Sequence, residues 1–220
     1  PPDFEAPPAL RFIHRRTVEG ALYFVSNGSA SAVDAEVLFR AADGSPLLLH
    51  PEDGSVRTLP EYTLLEDGRT SIPLHFEEGE SYFILFSSKP ESTARVAPKN
   101  FVAYEKLAEI SGPWQVSFDP ALGGPEEPVL FSELTDWSLH TSPEIRYYSG
   151  PAIYSCDFEV GEGMAELPGL QLDLGTVNVA ASVQLNGQDL GICWKKPYRL
   201  PLGASLRAGM NHLEINVVNL

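Results

Sequence analysis

The sequence predicts an all-β chain built as two antiparallel β-sandwich modules. Three observations carry that expectation. Apolar and polar residues trade places with period two over long stretches, turn dipeptides recur at short intervals, and no long segment has helical periodicity. At 220 residues the chain is long enough for two sandwiches of about 100 residues each.

Residues 1–9 hold the string PPDFEAPP and read as a linker. Residues 10–93 read as the first module. Its turns are Asn27-Gly28, Asp43-Gly44, Asp53-Gly54, Asp67-Gly68 and Glu78-Gly79, residue types that accept the positive φ of tight turns. Between them Ile72, Leu74 and Phe76 share one parity against Ser71, Pro73 and His75, and Val33, Ala35, Val37 and Phe39 alternate in the same way. Such alternation buries one face of a strand and wets the other. Asn27-Gly28-Ser29 fits a glycosylation acceptor but is read as a turn. The rhythm breaks over 90–103, and the module boundary is placed between 93 and 94.

Residues 94–220 read as the second module. Tyr104–Ile110 could form a turn or two of helix, or equally a strand, before Gly112-Pro113. Gly112–Gly150 is rich in Pro, Gly and aromatics and is expected to be mostly loop, with Trp114 in the core on the parity of Val116 and Phe118. The clearest local structure is a hairpin at Asn186-Gly187, whose two residues suit a type I′ turn. A two-residue loop sets Leu185 opposite Gln188, Val183 opposite Leu190, Ala181 opposite Ile192 and Val179 opposite Trp194. That register points Leu190, Ile192 and Trp194 inward and Cys193 outward. A bulge after Gly191 would reverse it, because a one-residue slip flips every later side chain.

The formal charge of −15 argues against nucleic acid or an anionic membrane as partner and fits a soluble protein with a neutral or cationic ligand. No apolar run approaches the about 20 residues a membrane helix needs. The chain opens without Met and stops inside the alternating run Leu213, Ile215, Val217, which predicts a piece of a longer polypeptide. Cys156 and Cys193 have no metal-ligand spacing and are expected as two free thiols rather than a bridge.

No catalytic residue stands out. Glycoside hydrolysis needs two carboxylates flanking the bond, about 5 to 9.5 Å apart, and no pattern among the 30 acidic residues singles out such a pair. Phosphate-loop, zincin, nucleophile-elbow and EF-hand spacings are missing, so neither cofactor nor metal is expected. Three groups remain as candidates. His14, Arg15 and Arg16 are a basic run in an acidic chain, read either as a contact with another domain or as local charge balance, with His14 and Arg16 on one strand face and Arg15 on the other. Lys195, Lys196, Tyr198 and Arg199 surround Pro197 in an expected loop. They could give a sugar an aromatic face and hydroxyl donors, or pack on the sandwich edge and dock another domain. Trp137, Tyr147 and Tyr148 form a second aromatic group, in which adjacent tyrosines on a strand would face opposite ways.

The valine-rich run with Leu185-Asn186-Gly187, Leu190-Gly191, Pro197-Tyr198 and Gly209…Asn211-His212-Leu213-Glu214 resembles the galactose-binding-like jelly-roll domain of glycoside hydrolases such as family 2. GPWQVSFDPALGGP (112–125), LTDWS (134–138), YYSGPAIY (147–154) and FIHRRTVEGALYFVSN (12–27) are similar to the C-terminal region of α-L-rhamnosidase-like proteins of glycoside hydrolase family 106. The resemblance implies a bacterial, periplasmic or secreted protein whose catalytic barrel lies elsewhere in the polypeptide. It implies a non-catalytic accessory region here, bracing that barrel and bordering its substrate cleft, or alternatively an independent carbohydrate-binding module. It transfers no catalytic residue.

Overall fold

The computed structural model describes residues 1–42, 44–87 and 95–219. Asp43 of the Asp43-Gly44 turn and the 93/94 boundary lie outside the described residues. The chain divides into two compact units, Pro1–Glu105 and Lys106–Leu220. Both are built from antiparallel strands, as the alternation predicts.

The first unit holds β1 (Phe4–Glu5), β2 (Leu10–Arg16), β3 (Gly20–Asn27), β4 (Val33–Phe39), β5 (Ser45–Leu49), β6 (Val56–Thr58), β7 (Thr63–Leu64), β8 (Thr70–Phe76) and β9 (Ser81–Ser87). They form a four-stranded sheet, β1-β4-β8-β7, and a five-stranded sheet, β2-β3-β9-β5-β6. Val37, Phe39, Ile72, Leu74 and Phe76 from one sheet meet Tyr23, Val25, Tyr82, Ile84 and Phe86 from the other in one apolar core. The alternation of β8 is complete: Thr70, Ile72, Leu74 and Phe76 are buried, and the residues between them are not.

Two local readings change. Residues 1–9 are not a bare linker. Phe4 pairs with Phe39 in β1–β4 and stacks on Phe12 with ring centroids 4.3 Å apart, while Asp3 accepts from Arg40. A two-residue strand is too short for any periodicity to reveal it. Asn27-Gly28 is not a hairpin turn either. β3 and β4 lie in different sheets, and neither Asn27 nor Gly28 has a positive φ. Asn27 is instead buried, donating to the carbonyls of Ser31 (2.7 Å) and Glu77 (2.9 Å) and accepting from Ser29, so it ties down the crossover between the sheets.

The outer face of the five-stranded sheet is apolar along one row. Ile13, Phe24, Phe83, Leu49 and Val56 succeed one another in register, and Arg15 begins the next row beside Leu22. An outer face normally carries the polar half of an alternating pattern.

The second unit holds β10 (Trp114–Phe118), β11 (Val129–Phe131), α1 (Pro143–Arg146), β12 (Pro151–Val160), α2 (Glu162–Ala165), β13 (Gln171–Asp173), β14 (Ala180–Leu185), β15 (Gln188–Cys193), β16 (Arg199–Pro201) and β17 (Gly209–Val218). A six-stranded sheet runs β11-β10-β12-β17-β14-β15, and β13 pairs with β16 separately. Trp114, Val116, Tyr154, Val183, Leu185 and Leu213 line its inner face. The single-turn helices α1 and α2 are too short for periodicity to show, and the segment Tyr104–Ile110 is neither helix nor strand. Cys156 and Cys193 are both free and buried. Burial pushes both thiols up from their ordinary value, the Asp157 charge adding at Cys156 and the Asp173 charge at Cys193.

Candidate functional site

The loop between β15 and β16 takes its geometry from the hairpin before it. Asn186 and Gly187 have φ of 54° and 75°, as the type I′ expectation requires. Leu185 pairs with Gln188 and Gln184 with Asp189, after which the register slips: Val183 pairs with Gly191, Ser182 with Ile192 and Ala181 with Cys193. Leu190 is the extra residue of a bulge. Two neighbours make the bulge possible. Asp189 accepts a hydrogen bond from the Gly191 N–H at 2.9 Å, and Gly191 has φ of 116°, which L side chains rarely adopt.

The slip reverses the expected facing of β15 beyond Leu190. Leu190 still packs partly against the core. Cys193 points inward and is buried, whereas Ile192 is 65% and Trp194 63% exposed. Trp194 is therefore a surface residue, not the core residue that the simple register gives. The reversing bulge sits just ahead of Gly191 instead of after it. The readable signal was Asp-x-Gly directly after an Asn-Gly turn, an aspartate that can cap and a glycine that can take positive φ.

Lys195, Lys196, Pro197 and Tyr198 continue as loop into β16, in line with the strand ending before the proline. The segment is anchored at its far end. Tyr198 packs partly against the core and its carbonyl accepts from the Leu174 N–H at 2.8 Å. Arg199 donates through Nε to Asp173 Oδ2 at 2.8 Å, and Gly175 donates to Asp173 Oδ1 at 2.8 Å. Burial alone would raise the Asp173 carboxyl, but the Arg199 and Gly175 hydrogen bonds and the Arg199 charge outweigh it and hold it below the usual range. Lys196 is exposed and Lys195 half-buried, and burial draws the Lys195 ammonium below its ordinary value. The loop thus sets an exposed indole next to an anchored Arg–Asp pair.

The second aromatic group separates. Trp137 is 8% exposed and donates through its indole N–H to Tyr154. Tyr148 is 5% exposed, donates to the Pro151 carbonyl at 2.7 Å and accepts from the Asp119 N–H at 3.1 Å. Both belong to the core, so neither is offered to a ligand. Tyr147 follows α1 and is 78% exposed. The two tyrosines do part company, but at a helix end, not on a strand.

The basic run also divides. His14 stacks on Tyr23 with ring centroids 4.1 Å apart and lies 2.9 Å from Asp3, so it serves its own unit. Arg15 and Arg16 are exposed, with Arg15 on the apolar outer face. Many carboxylates have structural tasks: Asp53, Asp67, Asp119 and Asp136 each accept a backbone N–H two residues on.

Residues 1–64 match the family model described as alpha-L-rhamnosidase, glycoside hydrolase family 106. Over 178 residues, 80% of this chain, the sequence is 34% identical to a curated protein of Formosa agariphila named "Putative beta-glucuronidase". The chain covers 14% of that relative's length. Across its whole length it is similar to the rhamnosidase of Novosphingobium sp. PP1Y, at 32% identity and a TM-score of 0.83, and covers 21% of that chain.

Proposed function

We propose that this chain, which is related in sequence and fold to the α-L-rhamnosidase-like glycoside hydrolases, is a non-catalytic accessory region of a larger hydrolase. In that reading it braces the catalytic domain of the same polypeptide and borders its substrate cleft, and the second unit is the galactose-binding-like jelly roll. The observation that carries the reading is the match of the entire chain to about a fifth of the Novosphingobium rhamnosidase. Two others support it. The row Ile13, Phe24, Phe83, Leu49 is apolar on the outer face of its sheet, with Ile13 exposed and the other three half-buried, and it is flanked by Arg15. The capping aspartates are committed to turns, which is structural work. A periplasmic or secreted location belongs to the same proposal.

Purified alone, the chain is expected to leave aryl rhamnosides and aryl glucuronides uncleaved. Turnover that survives repurification would overturn the accessory role. Substituting Ile13 and Arg15 together in the longer polypeptide should lower its thermal midpoint while leaving this chain's own unfolding nearly unchanged.

A second reading, an independent carbohydrate-binding module, is favoured by one observation: Trp194 presents its indole to solvent beside Lys195.

A further inference from the structure

β2 ends the five-stranded sheet, and no strand pairs with its far side. Its register against β3 runs unbroken from Leu10 to Arg16. Two bonds bracket that pairing, from the Gly28 N–H to the Ala9 carbonyl at 3.0 Å and from the Thr17 N–H to the Gly20 carbonyl at 2.8 Å. Antiparallel bonding alternates along a strand, so Arg11, Ile13 and Arg15 bond to β3, while the N–H and C=O groups of Phe12, His14 and Arg16 point away from it. Arg11, Arg15 and Arg16 are exposed, and among the described residues none of them pairs with a carboxylate. The rows that start at Arg11, Ile13 and Arg15 cross the outer face to Ser81, Val56 and Thr58 without meeting an acid. The other sheet of the same unit carries Glu5, Asp34 and Glu36 on its outer face. In a chain of charge −15, the β2 edge is a basic, acid-free exception.

We infer that the free edge of β2 takes an added antiparallel strand from the remainder of the polypeptide, with acidic residues facing Arg11 and Arg15 and an apolar residue facing Ile13. The inference rests on the bracing reading and names how the first unit is held. The chain covers 21% of the Novosphingobium rhamnosidase, so a polypeptide of that length has ample further chain to supply the strand. Backbone bonds to Phe12, His14 and Arg16 supply the attachment, and the side chains directly opposite Arg11, Ile13 and Arg15 set the sequence. Antiparallel addition continues the pairing of every strand in this sheet. A second copy is the wrong occupant. β2 laid antiparallel on another β2 about Ile13 sets Arg11 opposite Arg15 twice, and like charges directly opposed are destabilising. The charges that refuse a copy accept carboxylates, and Ile13, 58% exposed, loses water under an apolar neighbour. The strand this edge fits therefore reads acid, any residue, apolar, any residue, acid.

The test follows the backbone amides of Phe12, His14 and Arg16 by NMR. The whole chain is titrated with the end-blocked peptide Thr-Glu-Thr-Val-Thr-Glu-Thr and with its counterpart carrying Lys in place of both Glu. The glutamate peptide is expected to shift those amides and to bind on the order of tenfold more tightly than the lysine peptide. N-methylating the two threonines that flank its valine should abolish binding, because in an antiparallel pair those N–H groups face β2. Arg11→Glu combined with Arg15→Glu, both at exposed positions, should invert the preference. Equal affinity for the two peptides overturns the acidic specificity. Binding that survives N-methylation, or no binding up to about 10 mM, overturns the edge as a strand acceptor. In the longer polypeptide, hydrogen exchange at the three amides should be at least about tenfold slower than in this chain alone. Equal exchange rates there overturn the intramolecular strand. If substituting Ile13 and Arg15 still lowers the thermal midpoint of the longer polypeptide in that case, the bracing reading stands without the strand, and if it does not, both fall.

Discussion

Asn186 Nδ2 donates to Asn211 Oδ1 at 2.8 Å, joining the hairpin turn to the first residues of β17. The pair is a hub. Asn186 also donates to the Ser205 carbonyl and accepts from the His212 N–H, while Asn211 accepts from the Arg207 N–H and donates to the carbonyls of Arg207 and Gly209. Asn211 is almost wholly buried. Asn211→Ala strips several backbone groups of their partner without giving them water, at a cost of about 2–4 kcal/mol. All three tryptophans lie in the second unit. The loss should therefore appear as a lower urea midpoint in tryptophan fluorescence, and an unchanged midpoint would refute the hub.

Trp137 and Tyr154 make a second buried polar contact, indole N–H to phenol oxygen. Tyr154→Phe preserves the ring and leaves the indole N–H unpartnered in the core. The expected loss is about 1–3 kcal/mol, larger than the removal of a solvated hydroxyl would give. In a double-mutant cycle with Trp137→Phe the two losses should be less than additive, since the N–H to phenol contact is counted in both single variants.

Stability of the first unit should fall modestly as pH rises past neutrality. Burial by itself would lower the His75 pKa, but the hydrogen bond and charge of Asp34, 2.8 Å away, and the Glu77 charge outweigh it and raise it. Below the unfolded value of about 6.5 the imidazolium contributes in full, and the contribution disappears as pH climbs through the higher folded value. Asp34 is exposed, so the effect is small and screened by salt. Thermal midpoints of wild type and His75→Gln should differ below pH 6.5 and converge above the folded pKa. A constant gap across the range would exclude this linkage.

Acrylamide should quench a single tryptophan. Trp194 is open to the reagent, and Trp114 and Trp137 are not. Trp194→Phe is expected to remove most of the quenchable emission and to shift the remaining spectrum to the blue. Gly191→Val forces a β-branched side chain onto a φ of 116° and should cost about 1–3 kcal/mol, because the bulge cannot relax without reburying Trp194.

Alternation made the sheets legible. Val33 to Phe39 and Ile72 to Phe76 place themselves, because a strand between core and water repeats every second residue. Alternation failed where the backbone changes count or length. The bulge at Leu190 turned Trp194 outward, and its only sequence sign was a glycine with an aspartate two residues before it. Tyr147 and Tyr148 looked like strand neighbours because a single helical turn, Pro143–Arg146, has no period to detect. Asn27-Gly28 carried the composition of a hairpin turn, yet what the position required was a buried amide bridging two sheets. Of the sugar-site candidates, Lys195, Lys196 and Tyr198 share one loop, and Arg199 is the first residue of the strand that follows it. Trp137 and Tyr148 are core because their polar atoms find partners there, which composition cannot report.

β15 is the last strand of its sheet, so one side of it has no neighbour within the sheet. A straight ribbon in that place would offer its free amides and carbonyls to the same strand of another molecule, and chains could add end to end. The extra residue at Leu190 kinks that ribbon, and Lys195, Lys196 and Pro197 follow at once with like charges and a missing N–H. The irregularity that sets the indole on the surface thereby also discourages self-assembly, and straightening it by deleting Leu190 would trade solubility for regularity.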